Sequence, residues 1–219
     1  MQEQAQNRRD LFLLLSLVLV ILVYPLLEHG DLRKLILAAM VFVPVVLATL
    51  RMAQTKGWVG PSVLFMSAVL AFGVASTLFP NRALLAIKWI ILATFFGLAV
   101  VYLFSYLRNA RTITASHLFT AVSVYMLLGM LFFTLYSAID VVHPGSFQHS
   151  NSAATDRPSD LLYFSLITLS TIGYGDIVPV CGEARMFAAL EGMIGVLYVA
   201  ITIALLVSAY RGPGNERQE

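Results

Sequence analysis

The 219 residues are 59% hydrophobic and only 12% charged, the composition of a chain dissolved mainly in lipid, which argues against a soluble domain. Lysines and arginines number 14 against 12 acidic residues, a net charge of +2, and they lie scattered between apolar runs, so no basic stripe is available for nucleic acid. The single cysteine, Cys181, cannot form an intrachain disulfide and reads as a small apolar residue, and no Cys/His cluster has the spacing of a metal site.

A bilayer core about 30 Å thick takes about 20 apolar residues of helix, with every backbone amide bonded inside it. The first apolar run, Leu11 to Leu27, follows Arg8 and Arg9. It is too long for a secretory signal and ends in Tyr24-Pro25-Leu26-Leu27-Glu28 instead of a small-residue cleavage site, so a retained helix is predicted. Six spans of sufficient length are predicted near Asp10 to Leu27, Leu32 to Met52, Pro61 to Leu78, Arg82 to Leu107, Ser116 to Val142 and Glu183 to Tyr210. Between the first five stand polar or helix-breaking groups: Glu28 to Asp31, Thr55 to Gly57, Pro80 and Asn81, and Arg108 to Thr114. The stretch from Val141 to Arg157 mixes Pro, Gly, Ser, Asn and His and predicts an exposed loop.

The next apolar run, Leu161 to Ile172, would reach only about 18 Å as helix, too little to cross a bilayer, so it must be re-entrant or buried. Pro158 fixes its entry, Ser159 is placed as N-cap, and Asp160 sits in the first turn, where the helix dipole favours a carboxylate. Orientation follows from the cations. Arg8, Arg9, Arg51, Lys56, Arg108, Arg111, Arg211 and Arg217 fall on one side, Arg33, Lys34, Arg82, Arg157 and Arg185 on the other. The first side is read as cytoplasmic, so both termini face the cytoplasm and the short half-helix dips in from outside. Trp58 sits at a predicted interface.

Immediately after the half-helix comes Thr168-Leu169-Ser170-Thr171-Ile172-Gly173-Tyr174-Gly175-Asp176. On these residues the chain resembles the pore-loop potassium channels, whose TVGYGD signature it keeps with Ile172 in place of Val. A dehydrated potassium ion needs a cage of oxygens, and a strand supplies them only if successive carbonyls point the same way. Gly173 and Gly175 accept positive φ at little steric cost, which lets Ile172 and Tyr174 anchor outward. The resemblance implies a selectivity filter over Thr171, Ile172, Gly173, Tyr174 and Gly175. Potassium would be held by the carbonyls of Thr171 to Tyr174 with the Thr171 hydroxyl, and Tyr174 would act as a strut. One such strand cannot enclose an ion and the chain holds one, so four chains are required, a homotetramer that aims four half-helix C-termini at the space below the filter.

The implied fold is an all-α membrane protein with six transmembrane helices, a re-entrant pore half-helix and a filter loop. Residues 1–112 would form a four-helix domain in the position of a voltage sensor, 113–211 the pore domain, and 212–219 a short cytoplasmic tail. The resemblance is specific over Ser116 to Tyr210 and weak before it. Tyr163 and Phe164 stand where the family often carries a Trp pair, and Tyr163 is placed to donate to Asp176 of its own or an adjacent subunit. Glu191, in the apolar last helix, is costly unless partnered and is expected to bond Thr168 or Ser170 and brace the filter. Gly195 falls where related channels place a bending glycine; close packing is the other reading. Val199, Ile203 and Val207 recur every fourth residue and would line the pore, with Val207 and Ile203 as an apolar constriction.

Channels with six spans often use the fourth as a voltage sensor with arginines at every third position. Here Arg82 to Leu107 carries only Lys88 inside the span, with Arg108 and Arg111 beyond it, so a channel that is not steeply voltage-gated is expected. Lys88 reads as a snorkelling side chain. His143 and His149 read as solvated loop residues with the chemistry to sense external protons. Arg211 to Glu219 is too short to fold, so no cytoplasmic ligand-binding domain is expected. The expected location is the cell membrane, the inner one in a bacterium. The expected partners are lipid and K+, with no cofactor and no nucleic acid. No Ser/His/Asp, Cys/His or paired-carboxylate arrangement suggests an enzyme. Two other readings stand beside a conducting channel: a non-conducting or regulatory channel-like subunit, and an uptake transporter, which would usually carry four unlike filter segments in one chain.

Overall fold

The computed structural model describes residues 2–23, 43–49, 59–79, 81–109, 113–150 and 158–209. Among them the chain forms α1 (Gln2–Val23), a helical segment α2 (43–49), α3 (Val59–Leu78), α4 (Arg82–Arg108), α5 (Ala115–Val142), β1 (Phe147–His149), α6 (Pro158–Leu169), β2 (Ile177–Pro179) and α7 (Gly182–Ala209). Among the described residues three helices, over 82–108, 115–142 and 182–208, are long and apolar enough to cross a membrane.

Local chemistry sets the helix ends. Asn81 is extended, and its side chain accepts from the Ala83 N–H at 2.8 Å, so α4 starts on an Asn cap after a proline. At the start of α5 the Thr114 N–H donates to Nδ1 of His117 at 3.2 Å, so a histidine takes the place of the acid in a capping box. The α1 helix begins at Gln2, not near Asp10, because Glu3, Gln4, Ala5 and Gln6 are good helix formers that extend it beyond the apolar run. Pro158 opens α6, so Ser159 lies inside the first turn and is not its N-cap, and the helix stops at Leu169, short of the end of the apolar run.

The expected spans at Pro61–Leu78, Arg82–Leu107 and Ser116–Val142 coincide with α3, α4 and α5, and α7 covers the last as far as Ala209. Of the expected span Leu32–Met52 only 43–49 is described; Leu27, Trp58, Arg157, Tyr210 and the tail 212–219 lie outside the described residues.

The centre of the molecule is α5, which packs against α1, α4, α6 and α7, while α3 packs against α4. Leu17 of α1, Phe95 and Phe96 of α4, and Leu127, Met130 and Phe133 of α5 are almost wholly buried in one core. A second core gathers Phe132, Tyr136, Phe147, Phe164, Ile177 and Ala184 at one end of α5. By contrast α7 leaves most of its apolar length exposed, from Met186 through Val207.

The expected exposed loop from Val141 to Arg157 is corrected in two places. Val141 and Val142 complete α5, and Phe147–His149 is a strand, antiparallel to Ile177–Pro179 in the register Phe147 to Pro179, Gln148 to Val178 and His149 to Ile177. Composition predicted a loop here, but the alternation of a strand is present over three residues: Phe147 is buried, Gln148 exposed and His149 between. The all-helical expectation therefore gains a two-stranded ribbon.

Candidate functional site

The short helix α6 ends in a run of satisfied carbonyls. The Leu166 carbonyl accepts the Ser170 N–H at 3.1 Å, that of Ile167 accepts both Ile172 and Gly173 at 2.8 and 3.2 Å, and that of Thr168 accepts Thr171 at 3.0 Å. The last, Leu169, accepts the Tyr125 hydroxyl of α5 at 3.1 Å. The four carbonyls that a helix C-terminus leaves without partners are thus all engaged, and the chain beyond is folded back against the helix end.

Beyond that anchor the backbone alternates. Thr171, Gly173 and Gly175 have φ of 59°, 54° and 77°, and no other non-glycine among the described residues has positive φ. In an extended strand successive carbonyls point to opposite sides; inverting the hand at every second residue turns neighbouring peptides toward the same side. The two glycines were expected in this conformation. Thr171 was not, because a β-branched residue in the left-handed region is strained by about 1–2 kcal/mol. The Ile167 carbonyl, which holds the two N–H groups that follow Thr171, is the local support for that strain. The side chains of Ile172 and Tyr174 are exposed in the single chain.

The expected support residues separate into two groups. Tyr163 donates to Oδ2 of Asp176 at 2.9 Å within the same chain. Desolvation first, then this bond and the carboxylate charge, push its phenol up from 10.0 to about 12. Its proton is therefore held below pH 10 and lost only as pH rises through about 12. Phe164 points the other way, into an edge-to-face cluster with Tyr136 at 5.2 Å and Phe147 at 5.4 Å between ring centroids. The aromatic pair is split, with Tyr163 bonded to Asp176 and Phe164 packed in the core behind the strand Thr171–Gly175.

Glu191 is fully buried. Its partners are not Thr168 or Ser170, as the sequence led us to expect. Ser165 Oγ lies 2.5 Å from Oε1 and the Tyr136 hydroxyl donates to Oε2 at 2.5 Å, while Ser170 Oγ bonds the Leu166 carbonyl at 2.6 Å. The helical register explains the difference: Ser165 lies on the buried face of α6 with Leu162 and Leu169, whereas Ser170, just beyond the end of α6, is exposed. Ser165 Oγ is also 2.8 Å from the Gly129 carbonyl, so one cluster ties α5, α6 and α7 together.

Gly195 is buried where α7 crosses the end of α6. A methyl group there would collide with the Leu169 carbonyl oxygen, and at Gly192 it would stand 3.8 Å from that of Thr168. Through Gly195 the helix α7 is unbroken, so close approach is the task this glycine performs in the structure. Val199, Ile203 and Val207 are all exposed.

Two outer-loop histidines expected to be solvated behave differently. His143 is exposed, at the C-terminal cap of α5, whereas Nε2 of His149 is 3.0 Å from Oδ2 of Asp160 in the first turn of α6. Residues that sequence reasoning missed are Tyr125, Tyr136, Ser165 and Ser150, whose hydroxyl donates to the Gly175 carbonyl at 2.9 Å. A signal existed for Tyr136, a polar ring in the middle of an apolar span; none existed for Ser150, one of several serines in a polar loop.

Residues 120–211 match the family model described as ion channel. The two pore potassium channel c of Oryza sativa subsp. japonica is 37% identical over 92 residues, 42% of this chain and 18% of the rice protein. The two pore potassium channel b of the same organism is 37% identical over 75 residues, 34% of this chain and 19% of that one. An A-type voltage-gated potassium channel of Homo sapiens is 27% identical over 86 residues, 38% of this chain and 13% of the human protein. The chain thus spans under 20% of the length of these relatives. No solved structure matches it at comparable stringency.

Proposed function

We propose that the chain is one of four identical subunits of a potassium-selective channel of the pore-loop superfamily, a reading supported by the ion channel family match over residues 120–211 and by the similarity to potassium channels. The observation that carries the reading is the alternation of φ sign over Thr171 to Gly175 at the end of a helix too short to span. Four such strands around an axis offer rings of carbonyl oxygens from Thr171, Ile172, Gly173 and Tyr174 in place of the hydration shell of K+, with the Thr171 hydroxyl at the inner end. The exposed row of Val199, Ile203 and Val207, at 44%, 57% and 67% exposure, suits a wall of the water-filled path below the filter and an apolar constriction that closes by dewetting.

In this reading the chain crosses the cell membrane six times, with both termini cytoplasmic and α6 entering from outside. Between its terminal residues Arg82 and Arg108, α4 carries one charge, Lys88, and its Nζ sits 4.5 Å from the ring centre of Trp89, a contact that supports a fixed and not a travelling charge. Steep voltage gating is accordingly not expected.

The test is ion flux from liposomes loaded with potassium or sodium salts. The expected result is K+ efflux that far exceeds Na+ efflux and is abolished by Gly173→Asp. Equal passage of sodium overturns the selectivity, and a folded tetramer without flux leaves a non-conducting channel-like subunit as the function.

A further inference from the structure

We propose that Ser150, in the outer loop, is a positioning residue that sets the extracellular end of the filter by holding the Gly175 carbonyl away from the ion path. This rests on the channel reading given above and adds to it a residue outside the filter and outside the pore helix.

The chain from Ser146 to Ser150 runs antiparallel to the segment that leaves the filter. At one end the Val180 N–H donates to the Ser146 carbonyl at 2.9 Å; β1 and β2 then pair over three residues; at the other end the Ser150 N–H donates to the Asp176 carbonyl at 2.8 Å. Ser150 then reaches one residue further with its side chain, and its hydroxyl donates to the Gly175 carbonyl at 2.9 Å. Among the described residues the last backbone bond of the ladder is the one to Asp176, and a side chain makes the next bond in the series. Its register is fixed from two directions: Phe147 is locked among Tyr136 and Phe164, and His149 is bonded to Asp160 of α6.

A carbonyl can serve a permeating ion only if it faces the axis. Gly175 has φ of 77° and no Cβ, so little in its own covalent structure fixes which way its peptide faces, and among the described residues none beyond its chain neighbours lies within 4 Å of where a Cβ would stand. The Ser150 hydroxyl supplies the missing restraint from outside the strand. Tyr163 restrains the next residue by a different route, through the side chain of Asp176. With both bonds made, the run of ion-facing oxygens ends at Tyr174, and Gly175 belongs to the rim.

Four forms of the full chain in liposomes decide it: wild type, Ser150→Ala, Ser150→Thr and Gln148→Ala. Gln148 is exposed, pairs through its backbone with Val178, and controls for general damage to the ribbon. Two quantities are read: the K+ to Na+ flux ratio, and amide hydrogen exchange over residues 175–180. Ser150→Ala is expected to lower the flux ratio about fivefold and to speed exchange by a similar factor, the size set by one net hydrogen bond. Ser150→Thr, which keeps the hydroxyl, restores both, and Gln148→Ala is silent. The proposal is overturned if Ser150→Ala matches wild type in both readouts, if threonine fails to restore them, or if Gln148→Ala is equally damaging. Should the wild type pass no potassium, the channel reading fails by itself, and exchange over 175–180 still judges the bond from Ser150.

Discussion

At the scale of single residues, two glycines three positions apart in α7 make different demands. Gly195 lies so close to the end of α6 that a methyl group has no space and the obstacle is a backbone oxygen, which cannot rotate away as a side chain would. At Gly192 the nearest atom is at ordinary contact distance, 3.8 Å. Gly195→Ala is therefore expected to destabilise the folded protein by about 1–3 kcal/mol. Gly192→Ala should be neutral or slightly stabilising, since alanine is the better helix former by about 1 kcal/mol. Thermal unfolding in detergent compares them, and equal midpoints for both variants would remove the contact as the reason for Gly195. Thr171 is the other residue whose identity was readable but whose conformation was not. The motif names it, yet its left-handed backbone depends on the Ile167 carbonyl, a partner supplied by the preceding helix and not by any local preference.

At the scale of elements, the cluster around Glu191 joins three helices through one carboxyl group. Glu191→Ala removes the acceptor of the Tyr136 hydroxyl and leaves that hydroxyl in an apolar interior at about 1–3 kcal/mol, while Ser165 keeps the Gly129 carbonyl as acceptor. Glu191→Gln preserves an acceptor for Tyr136 and a donor toward Ser165, so it should keep most of the stability. A scan that finds glutamine as damaging as alanine would show that something other than these bonds keeps the position acidic.

Hydropathy alone gave α3, α4, α5 and α7 to within a few residues, because in an apolar chain helix ends coincide with the first charged or helix-breaking residues, such as Asn81 and Arg108. The short helix α6 and the unusual backbone that follows it were legible from length and from the two glycines of one motif. Three things were not. The ribbon escaped because its two strands are three residues each, are separated by 27 residues, and are brought together by the folded aromatic core that holds Phe147 and Ile177. The partners of Glu191 escaped because spacing along α6 does not reveal which face meets α7. The bond between His149 and Asp160 escaped because composition assigned the loop to solvent.

At the scale of the whole molecule, the channel reading makes an electrical prediction. Moving one charge through the membrane field is worth about 2.3 kcal/mol per 100 mV, and steep gating needs several charges in each of four subunits. With Lys88 the one charge between the terminal arginines of α4, the open probability in planar bilayers should change little between strongly negative and strongly positive voltages. A steep activation curve would contradict this and would require a charge carrier outside α4.

The uneven distribution of burial between α5 and α7 also bears on how the gene tolerates change. The side chains of α5 answer to neighbours within their own polypeptide, so a disruptive replacement there is felt as soon as one copy is made. Most of α7 has no such neighbours. A saturation library sorted only by cellular abundance should therefore purge variants of α5 and pass many in α7, whereas the same library sorted by potassium-dependent growth should purge both.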